Sequence, residues 1–172
     1  MTTTLRGSDN FDTSLSAWKL LSTQTTNGAA NYDWTGIPSG AQELMLNLWI
    51  VTVGALTEWE LRIGAGSFPS TGYTGNANYV NNAPNSCTGV ASTSGLIIGN
   101  GVSSGMTLSG HVRLFHMGSN IWTYSGSLNR NGIAGNFSGG GTSVGAALNQ
   151  LRLTTQAGSA FTGGTASLHY RG

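Results

Sequence analysis

Apolar and polar residues alternate with a period of two along much of this chain. The clearest run begins after Gln42, where every second residue is leucine or isoleucine. Side chains of a β-strand point alternately to its two faces, so this run predicts a strand with one face in a core. The predicted core positions are Leu44, Leu46, Leu48 and Ile50.

A second strand is predicted after Gly54, and the short connection favours an antiparallel hairpin with the first strand. One face of this strand is apolar and the other is charged, so we expect the charged face to lie toward solvent. The core face consists of Trp59, Leu61 and Ile63, and the predicted solvent face consists of Glu58, Glu60 and Arg62.

Further alternating runs continue this pattern to the end of the chain. Gly110 lies in the middle of the third run and predicts a bulge or a close packing contact. Gly118, Ser119 and Asn120 predict a turn into a neighbouring strand. The core positions of the later strands are Met106, Leu108, Val112, Leu114, Leu151, Leu153, Ala166, Leu168 and Tyr170.

The N-terminal region admits two interpretations. Leu15, Trp18 and Leu21 could line one face of a short helix that begins after Ser14, or the same region could be a strand from about Ala17. We favour the strand. The chain then divides into a polar leader over residues 1–16 and one β-sandwich domain over residues 17–172.

Two segments are rich in glycine and polar residues. Residues 64–105 are predicted to form short strands or a folded excursion that serves contacts, because a long structureless loop is uncommon in a compact domain. Residues 136–145 include three consecutive glycines and are predicted to form a tip or a close backbone approach.

Composition limits the partners of the protein. Charged residues make up only 8% of the 172 residues and the formal net charge is +1. Nucleic-acid binding needs several cations to neutralise phosphates, so we exclude DNA and RNA as partners.

No apolar run reaches the ~18 residues that span a bilayer, so we expect no membrane insertion. A nearly uncharged surface repels other copies weakly, which predicts oligomerisation.

Few titratable groups are present from which a catalytic site could be assembled. There are six acidic residues, three histidines and one cysteine, and no Gly-x-Ser-x-Gly motif occurs. Glu58 and Glu60 share one predicted strand face and are the pair of carboxylates that glycoside cleavage would have to use. We therefore predict that the protein is not an enzyme and has no catalytic residues, no metal site and no cofactor.

Aromatic side chains are the best candidates for binding, since their flat apolar faces can stack on sugar rings. Trp59 is predicted to be a core residue. Trp34 and Trp49 are predicted to fill a subunit interface, with ligand contact as the alternative. Tyr73 and Tyr79 lie in the long polar excursion and are the predicted ligand-binding residues, although packing onto the domain is equally compatible with their positions.

Three motifs resemble a β-rich module of tailed-bacteriophage fibres and other virion structural proteins. Residues 35–40 (TGIPSG) lead into an alternating strand, residues 70–75 (STGYTG) resemble the family's TTGY-G loop, and residues 151–155 with 161–170 resemble its closing pair of strands. The resemblance covers roughly residues 31–170.

The resemblance implies an all-β, antiparallel, jelly-roll-like β-sandwich that forms a homotrimer. It also implies a virion protein of the tail-fibre type that binds a host receptor during adsorption, with a cell-surface glycan or protein as the partner. Short leaders attach some phage fibre proteins to the particle, so attachment to other virion proteins is assigned to Asp9, Asn10, Phe11 and Asp12. We expect assembly in the host cytoplasm and final location in the virion.

Two other functions stay open at this point. The chain carries no fibre shaft, which raises capsid decoration or a head-fibre role as the first alternative. A glycan hydrolase is the second alternative, and the scarcity of acids and bases counts against it.

Overall fold

The computed structural model describes residues 17–81, 86–132 and 134–172. These residues form twelve β-strands and no helix. The all-β prediction is therefore confirmed. The strands are β1 (Lys19–Asn27), β2 (Asn31–Thr35), β3 (Glu43–Val53), β4 (Thr57–Gly64), β5 (Tyr73–Asn81), β6 (Cys87–Ser92), β7 (Leu96–Val102), β8 (Thr107–His116), β9 (Ile121–Arg130), β10 (Ala134–Ser143), β11 (Gln150–Thr155) and β12 (Phe161–Arg171).

The strands form two antiparallel sheets, which is the arrangement of a β-sandwich. An eight-stranded sheet has the order β1-β12-β3-β8-β9-β10-β5-β6, and a four-stranded sheet has the order β2-β11-β4-β7. All strand pairs are antiparallel. The predicted hairpin between β3 and β4 is wrong, because the short connection after Gly54 carries the chain from the large sheet to the small one. The small sheet covers one face of the large sheet, so the large sheet has an inner face and an outer face.

The core lies between the two sheets and is built from the alternating positions of the sequence. The predicted inward residues of β4, β8, β11 and β12 are buried, apart from Met106 and Tyr170, which are partly buried against the core. At its centre, Trp59 and Phe161 pack edge to face with ring centroids 5.1 Å apart. Such pairs stabilise a core beyond the area that they bury.

Alternation fails in the middle of β3, where Ile50 was predicted to be buried but is exposed. Leu48 pairs with Gly110 and Val51 pairs with Leu108, so Trp49 and Ile50 together lie opposite the single residue Ser109. This is a β-bulge, and Ile50 adopts a φ of 52° within it. The bulge changes the phase of the strand, so Val51 and Val53 take the buried positions that follow Leu48.

Gly164 on β12 accommodates the bulge, while Gly110 on β8 is in close contact with β9. Gly164 on β12 has a φ of 97°, and a Cβ atom there would lie 2.4 Å from the Ile50 carbonyl oxygen. Gly110 on β8 has a φ of 141°, and a Cβ atom there would lie 2.3 Å from the Ser127 carbonyl oxygen. The predicted close contact at Gly110 is therefore confirmed.

The two glycine-rich segments are both built into the sandwich. The segment 64–105 contains β5, β6 and β7, in agreement with the prediction of short strands. The tract 136–145 was expected to be a tip or a close backbone approach; most of it lies in β10, between β9 and β5, so the tip is wrong. A Cβ atom at Gly140 would collide with the Thr74 carbonyl oxygen, so the close approach is confirmed.

The first described strand starts at Lys19, so the strand interpretation of residues 19–21 is confirmed over the helix. The predicted leader, residues 1–16, lies outside the described residues.

Gly164→Ala should lower the free energy of unfolding by about 2 kcal/mol or more, because a left-handed conformation and a backbone collision would add together. Urea denaturation measures the change. The matched control is Gly145→Ala, where a Cβ atom meets no heavy atom within 4 Å; its effect should stay below about 1 kcal/mol. Equal effects of the two variants would contradict the assigned role of Gly164.

Candidate functional site

Trp49 lies on the outer face of the large sheet, at the bulge in β3. Its side chain is 66% exposed, which is unusual for the largest apolar side chain. The backbone N–H of Ile50 donates to the Ser109 hydroxyl at 2.9 Å, so the bulge is tied to β8 at this point. The backbone that carries the exposed indole is therefore hydrogen-bonded to a neighbouring strand.

Trp49 borders an open groove of about 630 Å³ on the outer face. The groove crosses three neighbouring strands, β12, β3 and β8, and its side-chain lining is mostly polar and uncharged. The lining residues are Asn47, Leu48, Trp49, Ser109, Gly110, His111, Thr165 and Ser167.

Strand register fixes the hydrogen-bonding groups of the groove. Ser167, Asn47 and His111 are direct cross-strand partners, and Thr165 is the partner of Trp49. The Asn47 amide nitrogen lies 3.2 Å from His169 Nδ1, which orients the Asn47 side chain. Hydroxyl, amide and imidazole groups both donate and accept hydrogen bonds. The groove thus presents an apolar platform beside several groups that can bind hydroxyls.

The two predicted ligand-binding tyrosines lie on the inner side of the large sheet. Tyr73 is buried, and its hydroxyl donates to the Ile63 carbonyl at 3.0 Å and accepts from the Ile63 N–H at 3.2 Å. Burial raises the pKa of the Tyr73 hydroxyl, opposed by its hydrogen bond to Ile63. Tyr79 is partly buried and Arg130 stacks on its ring at 4.5 Å from the centroid.

The other predicted tryptophans belong to the core. Trp59 is buried, as predicted, and Trp34 is also buried and donates from Nε1 to the Ser22 carbonyl at 3.2 Å. Trp34 was expected at a subunit interface, and this expectation is wrong because the chain itself covers the ring. The predicted attachment residues Asp9, Asn10, Phe11 and Asp12 lie outside the described residues.

Glu60 was predicted to face solvent but is fully buried. Ser92 and Ser94 donate to its Oε1 at 2.7 and 2.9 Å, and Gln156 donates to the same oxygen at 3.3 Å. The connection from β6 to β7 lies over this carboxylate, since a Cβ atom at Gly95 would be 2.7 Å from Glu60 Oε2. Glu60 therefore fastens that connection to the small sheet, and its carboxylate is not accessible to a substrate alongside Glu58.

An ion-pair cluster lies at one end of the outer face. Glu43 accepts from Arg113 at 2.8 Å and pairs with Arg171, and both guanidinium groups lie over the ring of Trp18. Burial raises the pKa of Glu43, but the hydrogen bonds and charges of Arg171 and Arg113 outweigh it, so this pKa lies below the ordinary value of 4.5. Glu43 stays ionised at neutral pH and ties β3, β8 and β12 together.

Within the described ranges, no group of three or more His, Cys, Asp or Glu residues could hold a metal ion. Nor does any helix with the length and apolar character for crossing a membrane occur in that part of the chain.

Comparisons with protein-family models, with curated proteins and with solved structures found no match to this chain.

The signal for this groove was present in the sequence. Buried positions run through Leu44, Leu46 and Leu48 and then continue at Val51 and Val53, which is a shift from even to odd positions. Such a shift within one strand indicates a bulge, and the residues at the shift, Trp49 and Ile50, are those left outside.

Glu43→Gln should weaken the loss of stability at acid pH. A carboxylate whose pKa is lowered by folding contributes stability above about pH 4.5, and this contribution disappears as the pH falls through the lower, folded-state pKa. We expect a difference of at most about 1 kcal/mol, because water and salt screen pairs near the surface. Urea denaturation between pH 7 and pH 3 measures it.

The matched control for this measurement is Glu58→Gln. The side chain of Glu58 is partly buried and makes none of the ion pairs found among the described residues. The role of Glu43 is contradicted if the two variants lose stability with the same dependence on pH.

Proposed function

We propose that this protein is a receptor-binding module of a bacteriophage virion, of the tail-fibre type, and that it binds host surface glycan on the outer face of its large sheet. The observation that carries the proposal is the open groove beside the exposed ring of Trp49, lined by hydroxyl, amide and imidazole groups. Sugar rings offer apolar C–H faces to an aromatic ring and hydroxyls to polar groups, so this combination suits them.

The lining of the groove favours a glycan over a subunit interface at Trp49. The buried centre of a protein interface is enriched in apolar and aromatic residues. Ile50 is exposed beside Trp49 in the bulge, but both neighbouring strands border Trp49 with polar residues, Ser109 and His111 on β8 and Thr165 and Ser167 on β12. A sugar would satisfy these polar groups, whereas an apolar partner surface would leave them unpaired.

The strand order supports a jelly-roll topology with two inserted hairpins. Without the hairpins β5–β6 and β9–β10, the remaining strands have the orders β1-β12-β3-β8 and β2-β11-β4-β7. Each sheet then alternates an early strand with a late one, as in a jelly roll of eight strands. Because jelly rolls form viral capsid and lectin domains, this topology favours a virion protein that binds sugars.

The proposed oligomer is a homotrimer. The low charge of the chain and the three motifs that resemble phage fibre modules support this state, and the same motifs support the virion setting. Three copies of a shallow groove would act together, since linked weak sites bind a multivalent surface far more tightly than one site does.

The groove contains no carboxylate, and glycoside hydrolysis needs a pair of them near the scissile bond. Glu58 and Glu60 do not supply that pair, since the carboxylate of Glu60 is buried. The proposal is therefore binding without cleavage, and neither a cofactor nor a metal enters it.

Capsid decoration is the second candidate, because the same topology occurs in capsid domains. It predicts a copy number close to the number of lattice positions of the capsid, whereas a tail-fibre module is present in few copies. Quantitative mass spectrometry of purified particles distinguishes the two.

Trp49→Ala should lower the affinity for bound glycan about tenfold or more, because the stacking platform is lost. A glycan array of bacterial surface oligosaccharides identifies the probe, and isothermal titration measures its affinity. The matched control is Leu56→Ala, whose side chain is also 66% exposed but lies in the connection from β3 to β4. The proposal fails if no glycan binds, or if both variants bind like wild type.

Removal of residues 1–16 should leave a folded protein that binds glycan but no longer joins the virion, because attachment is assigned to Asp9, Asn10, Phe11 and Asp12. Complementation of a phage that lacks the protein, followed by immunoblotting of purified particles, measures incorporation. Particles that incorporate the truncated chain at wild-type levels would contradict the attachment role.

A further inference from the structure

We propose that the outer face binds an extended, uncharged polysaccharide laid across the strands, rather than one terminal sugar. This inference rests on the proposed glycan-binding function and names the class of glycan. It depends on four observations: a polar row in register across the sheet, a second groove, an exposed aromatic ring between the grooves, and the distribution of charge.

Strand register aligns one continuous row of outward side chains across the large sheet. From β12 to β5 the row consists of Ser167, Asn47, His111, Ser127, Phe137 and Asn78. Cross-strand partners stand side by side, so these groups form a line perpendicular to the strands. The first three members belong to the groove at Trp49, and the row continues well beyond it.

A second groove of about 380 Å³ lies farther along the same sheet, on β10, β5 and β6. Gly139 and Gly140 contribute no side chains there, while Thr74, Asn76 and Ala91 lie along its border. Asn76 is exposed and is the cross-strand partner of both Gly139 and Ala91. The missing side chains leave a trough whose surface is mostly apolar, with the exposed Asn76 side chain at its edge.

Phe137 lies between the two grooves and is 52% exposed. Its ring lies over Gly135, where a Cβ atom would be 2.8 Å from the ring. Across the sheet, Phe137 is three strands from Trp49, a distance of about 14 Å. Along β10, it is two residues from Gly139, a distance of about 7 Å. Trp49 and Phe137 are therefore two separated stacking platforms on one face.

The distance between the grooves sets the length of the ligand. The lining of the two grooves extends from β12 to β6, which is six strand spacings and about 29 Å. One sugar ring could occupy only one groove, whereas a linear chain of several sugars could contact both platforms and the polar row between them.

The outer face lacks charged residues along two neighbouring rows of its described positions, which favours an uncharged polysaccharide as the ligand. Neither the row through Asn47 nor the next row, through Trp49 and Ser109, contains a Lys, Arg, Asp or Glu residue among its described positions. Arg130, next to Asn129 on β9, is buried on the inner side over the ring of Tyr79. The nearest cations on the outer face, Arg113 and Arg171, are both paired with Glu43. An acidic polysaccharide would find no unpaired cation along these rows, so we expect it to bind poorly.

The test compares chain length, charge and the two aromatic rings on the full chain. The probes are oligosaccharides of graded length from the uncharged bacterial polysaccharide that binds most strongly on the array, with polysialic acid as the acidic probe. We expect affinity to rise at least tenfold from the disaccharide to the longest chain, and polysialic acid to bind at least tenfold more weakly than that chain.

Phe137→Ala should weaken binding of the longest chain about tenfold and leave disaccharide binding unchanged, because only the long chain reaches the second platform. Phe137→Tyr keeps the ring and should bind like wild type. The matched control is Met117→Ala, whose side chain is 63% exposed in the turn between β8 and β9. Circular dichroism and sedimentation should be unchanged in all three variants.

The outcomes separate the inference from the proposed function. If Trp49→Ala abolishes binding but chain length and Phe137→Ala have no effect, binding is confined to the first groove and only the inference fails. If polysialic acid binds best, the assignment of an uncharged ligand is wrong. If no glycan binds, or if Phe137→Ala and Trp49→Ala dissociate the oligomer, the face is a protein interface and both proposals fail.

Discussion

Burial of every second side chain between the two sheets is the constraint on which the rest of this structure depends. Once Leu44, Leu46 and Leu48 enter the core, their neighbours on β3 must face outward, and the same holds for β8 and β12. The chemistry of the outer face is therefore the chemistry of the alternate residues. In this chain those residues are mainly hydroxyl, amide and imidazole side chains, and the polar row across the large sheet follows from that composition.

The bulge in β3 is the local exception to this alternation, and it leaves Ile50 exposed beside the ring of Trp49. An unbroken strand would have placed Ile50 in the core, and the two valines that follow would have faced solvent. The additional residue restores the valines to the core and leaves Trp49 beside Ile50 at the surface. Gly164 on β12 leaves space for the bulge and Ser109 on β8 accepts a hydrogen bond from it, so residues on three strands together determine its geometry.

Local periodicity predicted most strands because it depends only on neighbouring residues, as Trp59, Leu61 and Ile63 illustrate. It could not predict Glu60, whose burial depends on the connection from β6 to β7 and on Gln156, both distant in sequence. Tyr73 was misplaced for a similar reason, since the segment that contains it forms strands of the sandwich and its hydroxyl bonds to Ile63. The phase shift after Leu48 was visible, and its interpretation as a bulge would have predicted that Ile50 is exposed beside Trp49.

The buried carboxylate of Glu60 also has a consequence for recognition. By accepting hydrogen bonds from Ser92 and Ser94, it clamps the end of the inserted β5–β6 hairpin to the small sheet, and that hairpin forms one side of the second groove. The second groove therefore keeps its shape before any ligand arrives. Most of the conformational entropy lost on binding is then lost by the sugar chain. Stiff polysaccharides lose less of it than flexible ones and should therefore bind more tightly.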